Sequence, residues 1–152
     1  MPTNIFSIDI EKETLNNTNF RKVIHTTNNQ QLVVMSLKPG EHIPLENHPN
    51  VDQFIRIEKG SVEAVINKTQ RISLPKNSVI MIPSNTWHEI INVSSKEDAK
   101  IYTIYSPPEH PEGTIDIIQP AKSQKGGQSE YYDKYLKYKN KYLSAKFISK
   151  NK

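Results

Sequence analysis

The sequence predicts an all-β sandwich or barrel, and three observations carry that reading. From Gln30 onward, β-branched runs of five to seven residues alternate with turn residues. Between residues 30 and 106 no stretch of useful length has helical apolar spacing. Ten prolines against five glycines suit strands joined by stiff turns. At 152 residues the chain is one domain by size, and despite only 35% hydrophobic residues it can bury most of its unfolded surface in one core.

Each strand is bounded by its own stop signal. QLVVMSL ends at Pro39-Gly40, and QFIRIE ends at Lys59-Gly60. SVEAVI turns at Asn67-Lys68, after which QRISL ends at Pro75 and SVIMI at Pro83. WHEIINV ends at Ser94-Ser95, and AKIYTIY at Pro107-Pro108. Before them, residues 1–25 read two ways: FSIDI as a strand, or IEKETLNN as a short helix.

Charge divides the chain near Pro120. Residues 1–120 carry 11 Lys/Arg and 14 Asp/Glu, a net −3, whereas residues 121–152 carry 9 Lys and 2 acids, a net +7. The overall +4 therefore belongs to the tail. Residues 121–130, AKSQKGGQSE, read as a flexible linker between a body at 1–120 and a basic tail at 131–152. Zero cysteines exclude disulfides, thiolate nucleophiles and cysteine-ligated clusters. The N-terminus lacks the basic start and apolar core of a secretory signal, and no run is long and apolar enough for a transmembrane helix. A soluble intracellular protein is expected. Serine-hydrolase elbows, phosphate loops and dinucleotide fingerprints are absent from the sequence.

Two segments carry chemistry. In PGEHIPLENHPNVDQFIRIEKG, Glu46 and His48 share parity, so both would leave one strand face. Gln53 shares a face with Ile55 and Ile57, and the turn through Pro49-Asn50-Val51 can bring it beside His48. In NSVIMIPSNTWHEIIN, His88 shares a face with Ile90. Two imidazoles, one carboxylate and one amide oxygen pointing into one barrel make a divalent-metal site. Taken singly, each residue reads as well as a surface or satisfied core group. His42 has the parity of Glu46 and His48 and is the reserve ligand.

These segments resemble the two motifs of the cupin superfamily. The first, G-x5-H-x-H-x3,4-E-x6-G, is met by Gly40, Glu46, His48, Gln53 and Gly60, with Glu46 in the first His place and Gln53 in the Glu place. The second, G-x5-P-x-G-x2-H-x3-N, is met by Asn77, Pro83, Asn85, His88 and Asn92. Asn replaces Gly twice, which is mild because Asn tolerates left-handed backbone. YTIYSPPEHPEGT is similar to the tail of small bacterial single-domain cupins. The resemblance implies a double-stranded β-helix (a jelly-roll barrel) holding one divalent ion on Glu46, His48, His88 and Gln53, with Gln53 direct or through water. Oxygen in place of one imidazole hardens the set and favours Zn, Mn, Fe or Ni over Cu. A metal-free reading stays open beside it.

Acid–base candidates are Tyr102, Glu41 and His110, and for each the plainer reading is preferred. Tyr102 reads as core, Glu41 as solvated beside the Pro-Gly turn, and His110 with Glu109 as part of a Pro-rich surface loop that could otherwise cap the barrel mouth. Trp87 reads as core or subunit interface.

In the tail, Tyr131, Tyr135, Tyr138 and Tyr142 fall on one stripe of a helix, widened by Leu136, Leu143 and Phe147 and flanked by Lys134, Lys137 and Lys141. It reads either as an amphipathic helix docking on protein or as an attachment to an acidic partner, nucleic acid or anionic membrane. The Tyr-Lys run resembles a C-terminal segment of proteins of giant amoebal DNA viruses. That resemblance implies a viral cupin, in host cytoplasm or virion.

For the whole chain the resemblance implies a metal-dependent enzyme acting on a small oxygen-rich metabolite, by isomerase or epimerase chemistry on a sugar or dioxygenase chemistry on a diketone or aromatic. The competing expectation is a non-catalytic binding or scaffold module whose tail supplies the function. A homodimer is expected, because edge strands and apolar N-terminal strands need a cover.

Overall fold

The computed structural model describes residues 4–120; the linker at 121–130 and the Tyr/Lys stripe of the tail lie outside the described residues. The N-terminal ambiguity is settled by a cap. Helix α1 (Ile10–Asn16) begins after Asp9, whose side chain accepts a hydrogen bond from the Lys12 backbone N at 3.1 Å. Glu11 and Glu13 occupy its first turn, where the helix dipole favours acids. FSIDI is therefore not a strand, and Phe6 instead stacks on His25 with ring centroids 4.3 Å apart.

Among the described residues ten strands follow, in two antiparallel sheets. They are β1 (Arg21–Thr26), β2 (Gln31–Leu37), β3 (His42–Glu46), β4 (Asp52–Lys59) and β5 (Val62–Ile66). Then come β6 (Gln70–Leu74), β7 (Val79–Ile82), β8 (His88–Asn92), β9 (Ala99–Ser106) and β10 (Ile115–Asp116). One sheet runs β10-β1-β2-β9-β4-β7, the other β3-β8-β5-β6. The seven expected strands are β2 and β4–β9; β1, β3 and β10 are additions. The all-β expectation is met.

The core forms where the inner faces of both sheets meet. Val33, Met35, Ile55, Ile57 and Ile101 of the larger sheet join Ile43, Ala64, Leu74 and Ile90 of the smaller one in a single buried cluster. Strand β4 shows the rule: Gln53, Ile55 and Ile57 are buried while Phe54 and Arg56 between them are half-buried. On the other side of the larger sheet, Lys100 Nζ donates to the Asn17 carbonyl at 2.6 Å and to Ser36 Oγ at 2.9 Å, tying the end of α1 to β2 and β9.

Turns take the backbone they need. Asn67 and Lys68 both have positive φ, as a tight hairpin requires, and so do Asn77 and Asn85, the two positions where the motif has Gly. Gly60, which closes the first motif, has φ +83, and a Cβ there would lie 2.9 Å from the Asp98 carbonyl oxygen and 3.1 Å from Ala99 Cα. Both obstacles are backbone. Gly60→Ala is expected to cost about 2 kcal/mol or more, read as a thermal midpoint lower by roughly 6–10 °C. A midpoint within about 2 °C of the parent would show that the Asp98-Ala99 backbone yields.

Candidate metal centre

Three side chains converge at one end of the barrel. Glu46 ends β3 and lies in register opposite His88, the first residue of β8. His48 sits just beyond β3, and its loop is pinned by a hydrogen bond from the Asn85 backbone N to the His48 carbonyl at 2.8 Å. One ligand atom from each of Glu46, His48 and His88 lies within 4.8 Å of the others. Glu46 Oε1 stands 3.3 Å from His88 Nε2 and 3.2 Å from His48 Nε2, the latter without the alignment of a hydrogen bond.

The other nitrogen of each ring meets an acceptor. His88 Nδ1 lies 2.9 Å from the Thr86 carbonyl, and His48 Nδ1 lies 3.2 Å from Glu109 Oε1. Both nitrogens of each ring thus face acceptors, and with a cation bound on the Nε2 side the ring proton of each neutral imidazole would sit on Nδ1. Each Nε2 lone pair then faces the Glu46 oxygen. Three acceptors meeting this closely require a cation among them, either protons or a metal. Burial alone would raise the Glu46 carboxyl, but the close approach and charge of His48 and His88 outweigh it and hold it well below the usual carboxylate range. Burial would likewise lower His48, yet Glu46 and then Glu109 raise it.

Gln53 lies on the core face of β4, paired with Tyr105 of β9. Its Nε2 donates to Thr103 Oγ1 at 3.1 Å, and its Oε1 is buried with no partner among the described residues. An orphaned amide oxygen suits a water or ligand group donating to it.

The remaining candidates sort differently. His42 is not beside Glu46: β3 holds one extra residue against β8 between Ile43 and Glu46, which reverses the faces, and His42 Nδ1 meets Glu89 Oε1 at 2.7 Å. Tyr102 stands on the face of β9 away from the core, stacked on Phe54 at 6.1 Å. Glu41 Oε2 accepts from the Lys38 backbone N at 2.8 Å and caps a turn. Trp87 is half-buried beneath Lys68, whose Nζ lies 5.0 Å from its ring centroid, so it is not core. Tyr105 was missed: it is buried, with its ring edge-on to His48 at 5.7 Å and to His110 at 5.1 Å. Alternation puts it on one face with Ile101 and Thr103, but the sequence does not mark that face as inward. Burial pushes its phenol well above the usual range, so it stays neutral.

The loop at 107–113 is more than a surface loop, since it brings Glu109 to His48 and His110 to Tyr105. Burial, followed by the Arg21 charge, lowers His110 to about 4. An unfolded His binds its proton near 6.5, so this group destabilises the fold as pH falls from about 6.5 toward 4, and is without effect above that window. Discounted for partial exposure, the expected penalty is about 1–2 kcal/mol at the acid end. His110→Phe should therefore lose less stability than the parent between pH 7 and pH 4.5 in urea melts. Parallel pH profiles for the two would refute the assignment.

The comparisons agree with this architecture. Residues 33–105 match the Cupin domain family. An uncharacterized protein of Acanthamoeba polyphaga mimivirus is 45% identical over 145 residues, covering 93% of this chain and 91% of its own. The uncharacterized protein YrkC of Bacillus subtilis is 41% identical over 115 residues, 72% of this chain and 61% of its own. Among solved structures, BH2720 from Bacillus halodurans superposes with a TM-score of 0.72 at 36% identity, covering 76% of this chain and 91% of that one. KdgF from Halomonas, at 19% identity and a TM-score of 0.54 over 59% of this chain and 78% of that one, shares the fold. With both motifs in place, ten strands in two sheets and relatives matched over most of its length, the chain belongs to the cupin superfamily.

Proposed function

We propose that this cupin binds one divalent metal ion through Glu46, His48 and His88 and acts on a small, oxygen-rich metabolite at that centre. The supporting observation is the convergence of two Nε2 atoms on Glu46 Oε1 while both Nδ1 atoms face acceptors. Two nitrogens and one carboxylate oxygen suit Zn, Mn, Fe or Ni. The ion would supply Lewis-acid polarisation of a ligand oxygen. Around it, Gln53 Oε1 would accept from a water or substrate hydroxyl, and Tyr105 would present a neutral ring against His48. Isomerase-like and dioxygenase-like reactions both fit this set; a redox-active ion at full activity would favour the second.

The test is elemental analysis of the full chain beside His48→Ala/His88→Ala, followed by a thermal-shift screen of sugars, oxyacids and diketones on the loaded protein. One ion per chain, lost in the double variant together with any ligand shift, is expected. Equal metal content in both would overturn the site.

Assembly as a homodimer belongs to the same reading. Leu32, Ile104, Phe54 and Met81 pair in sequence across four strands on the outer face of the larger sheet, and Met81 is 76% exposed. Light scattering at the mass of one chain, 17.5 kDa, across a concentration series would refute it.

The charge division favours a second reading, in which residues 121–152 attach the body to a polyanion. Deleting them should abolish salt-sensitive heparin retention while leaving a folded body with its metal content. Unchanged retention would place the basic surface elsewhere.

A further inference from the structure

Glu109 is not among the converging side chains, yet its carboxylate occupies the far nitrogen of one of them. It comes from a loop, and loops need an anchor if they are to hold a carboxylate within hydrogen-bonding reach of a ring. The anchor here is Gln31, the first residue of β2, which is 0% exposed. Its Oε1 accepts from the backbone N of Glu109 at 3.2 Å and of His110 at 2.9 Å. Its Nε2 donates to the His110 carbonyl at 2.7 Å and to Thr26 Oγ1 at 3.0 Å. A buried amide costs stability unless its donors and acceptor are matched, and this one is matched mostly by the backbone of that loop. The loop conformation and the burial of Gln31 therefore specify each other.

We propose that Glu109 is a positioning residue for His48, and that Gln31 holds it in place. Glu109 Oε1 lies 3.2 Å from His48 Nδ1 while Glu46 Oε1 lies 3.2 Å from Nε2, so Glu109 competes for the ring proton on the far side and turns Nε2 toward the converging atoms. His88 receives the same service from the Thr86 carbonyl, which its own chain segment supplies two residues away. His48 has no such local carbonyl among its hydrogen bonds, so the partner arrives from 61 residues further along. A carboxylate in this role also makes the imidazole a stronger donor than a carbonyl does. The inference rests on the metal-binding reading of Glu46, His48 and His88.

The experiment compares the full chain with Glu109→Ala and Glu109→Gln. Glu109 sits on a loop with its side chain 32% exposed, and the Gln31 anchor holds the loop by its backbone, so both variants should fold with melting midpoints close to the parent. The first readout needs no metal: proton–nitrogen correlation spectra of the imidazole rings, recorded on the metal-free chain at a pH where they are neutral. The His48 proton is expected on Nδ1 in the parent and in Glu109→Gln, whose amide oxygen still accepts, and redistributed toward Nε2 in Glu109→Ala. The second is zinc affinity by competition with a chromogenic chelator. Glu109→Ala should bind about 10–100-fold more weakly, with Glu109→Gln between it and the parent. Parent-like tautomer and affinity within two-fold in Glu109→Ala would overturn the proposal, as would weaker affinity that tracks a fall in melting midpoint with the tautomer unchanged. A parent chain that binds no zinc would sink the metal reading instead, and the tautomer spectra would still decide the role of Glu109.

Discussion

Glu46→Ala should weaken divalent-metal affinity by about 1,000-fold or more, equivalent to roughly 4 kcal/mol of binding free energy. The carboxylate is the only anion among the three converging groups, and both Nε2 atoms lie within 3.3 Å of its Oε1. Its removal leaves two neutral imidazoles and no anionic group among the converging atoms to offset a dication, with Glu109 acting only through His48. Glu46→Gln separates charge from shape, because it keeps an oxygen donor of the same reach. An intermediate loss, on the order of 10–100-fold, is expected for it. Competition titration with zinc and with manganese checks both variants, and the harder ion should suffer more from losing its oxygen ligand. An alanine variant within ten-fold of the parent would show that the two imidazoles suffice.

Asn92→Ala should be the most damaging single change to stability, about 2–4 kcal/mol or a midpoint lower by roughly 8–15 °C. Asn92 is fully buried at the end of β8. Its Nδ2 donates to the carbonyls of Leu37 at 2.9 Å, Lys38 at 3.1 Å and Glu97 at 2.9 Å, while its Oδ1 accepts from the Ser94 backbone N at 3.0 Å. One side chain thus satisfies backbone from the end of β2, the turn after it and the loop after β8. Alanine strands those groups in a dry place. Asn92→Asp keeps the volume but turns the donor into an acceptor facing three carbonyls, so it should fare no better. Urea melts of the two variants separate lost volume from lost hydrogen bonds. Wild-type midpoints for either would show that water takes over those contacts.

Most of the fold was legible because strand ends here are marked chemically. Pro39-Gly40, Lys59-Gly60, Pro75 and Pro83 each follow a β-branched run, and the burial of Gln53, Ile55 and Ile57 on one face follows alternation alone. The left-handed backbone at Asn77 and Asn85 was legible as well, since only a few residue types accept it. What sequence hid was long-range or irregular. Tyr102 and Tyr105 sit in a strand with apolar residues on both faces, so alternation gives the two faces without saying which is inward. The meeting of Glu109 with His48 depends on the Gln31 anchor, and nothing local to residues 107–113 announces it. The short helix carries its start signal in one side chain, Asp9, which caps the Lys12 backbone N.

The bulge in β3 has a consequence for how such a site can be edited. Because three residue steps from Ile43 to Glu46 span the same ladder distance as two steps from Ile90 to His88, the strand is read in two frames joined at residues 44 and 45. Everything before the join is indexed to the core and everything after it to the cluster. Removing Pro44 would merge the frames into a regular ladder with Glu46 still opposite His88. Removing Asn47, beyond the join, would instead pull His48 out of phase. Length changes at neighbouring positions are therefore not equivalent here: one is absorbed as a straightened strand, the other rewrites which atoms face each other.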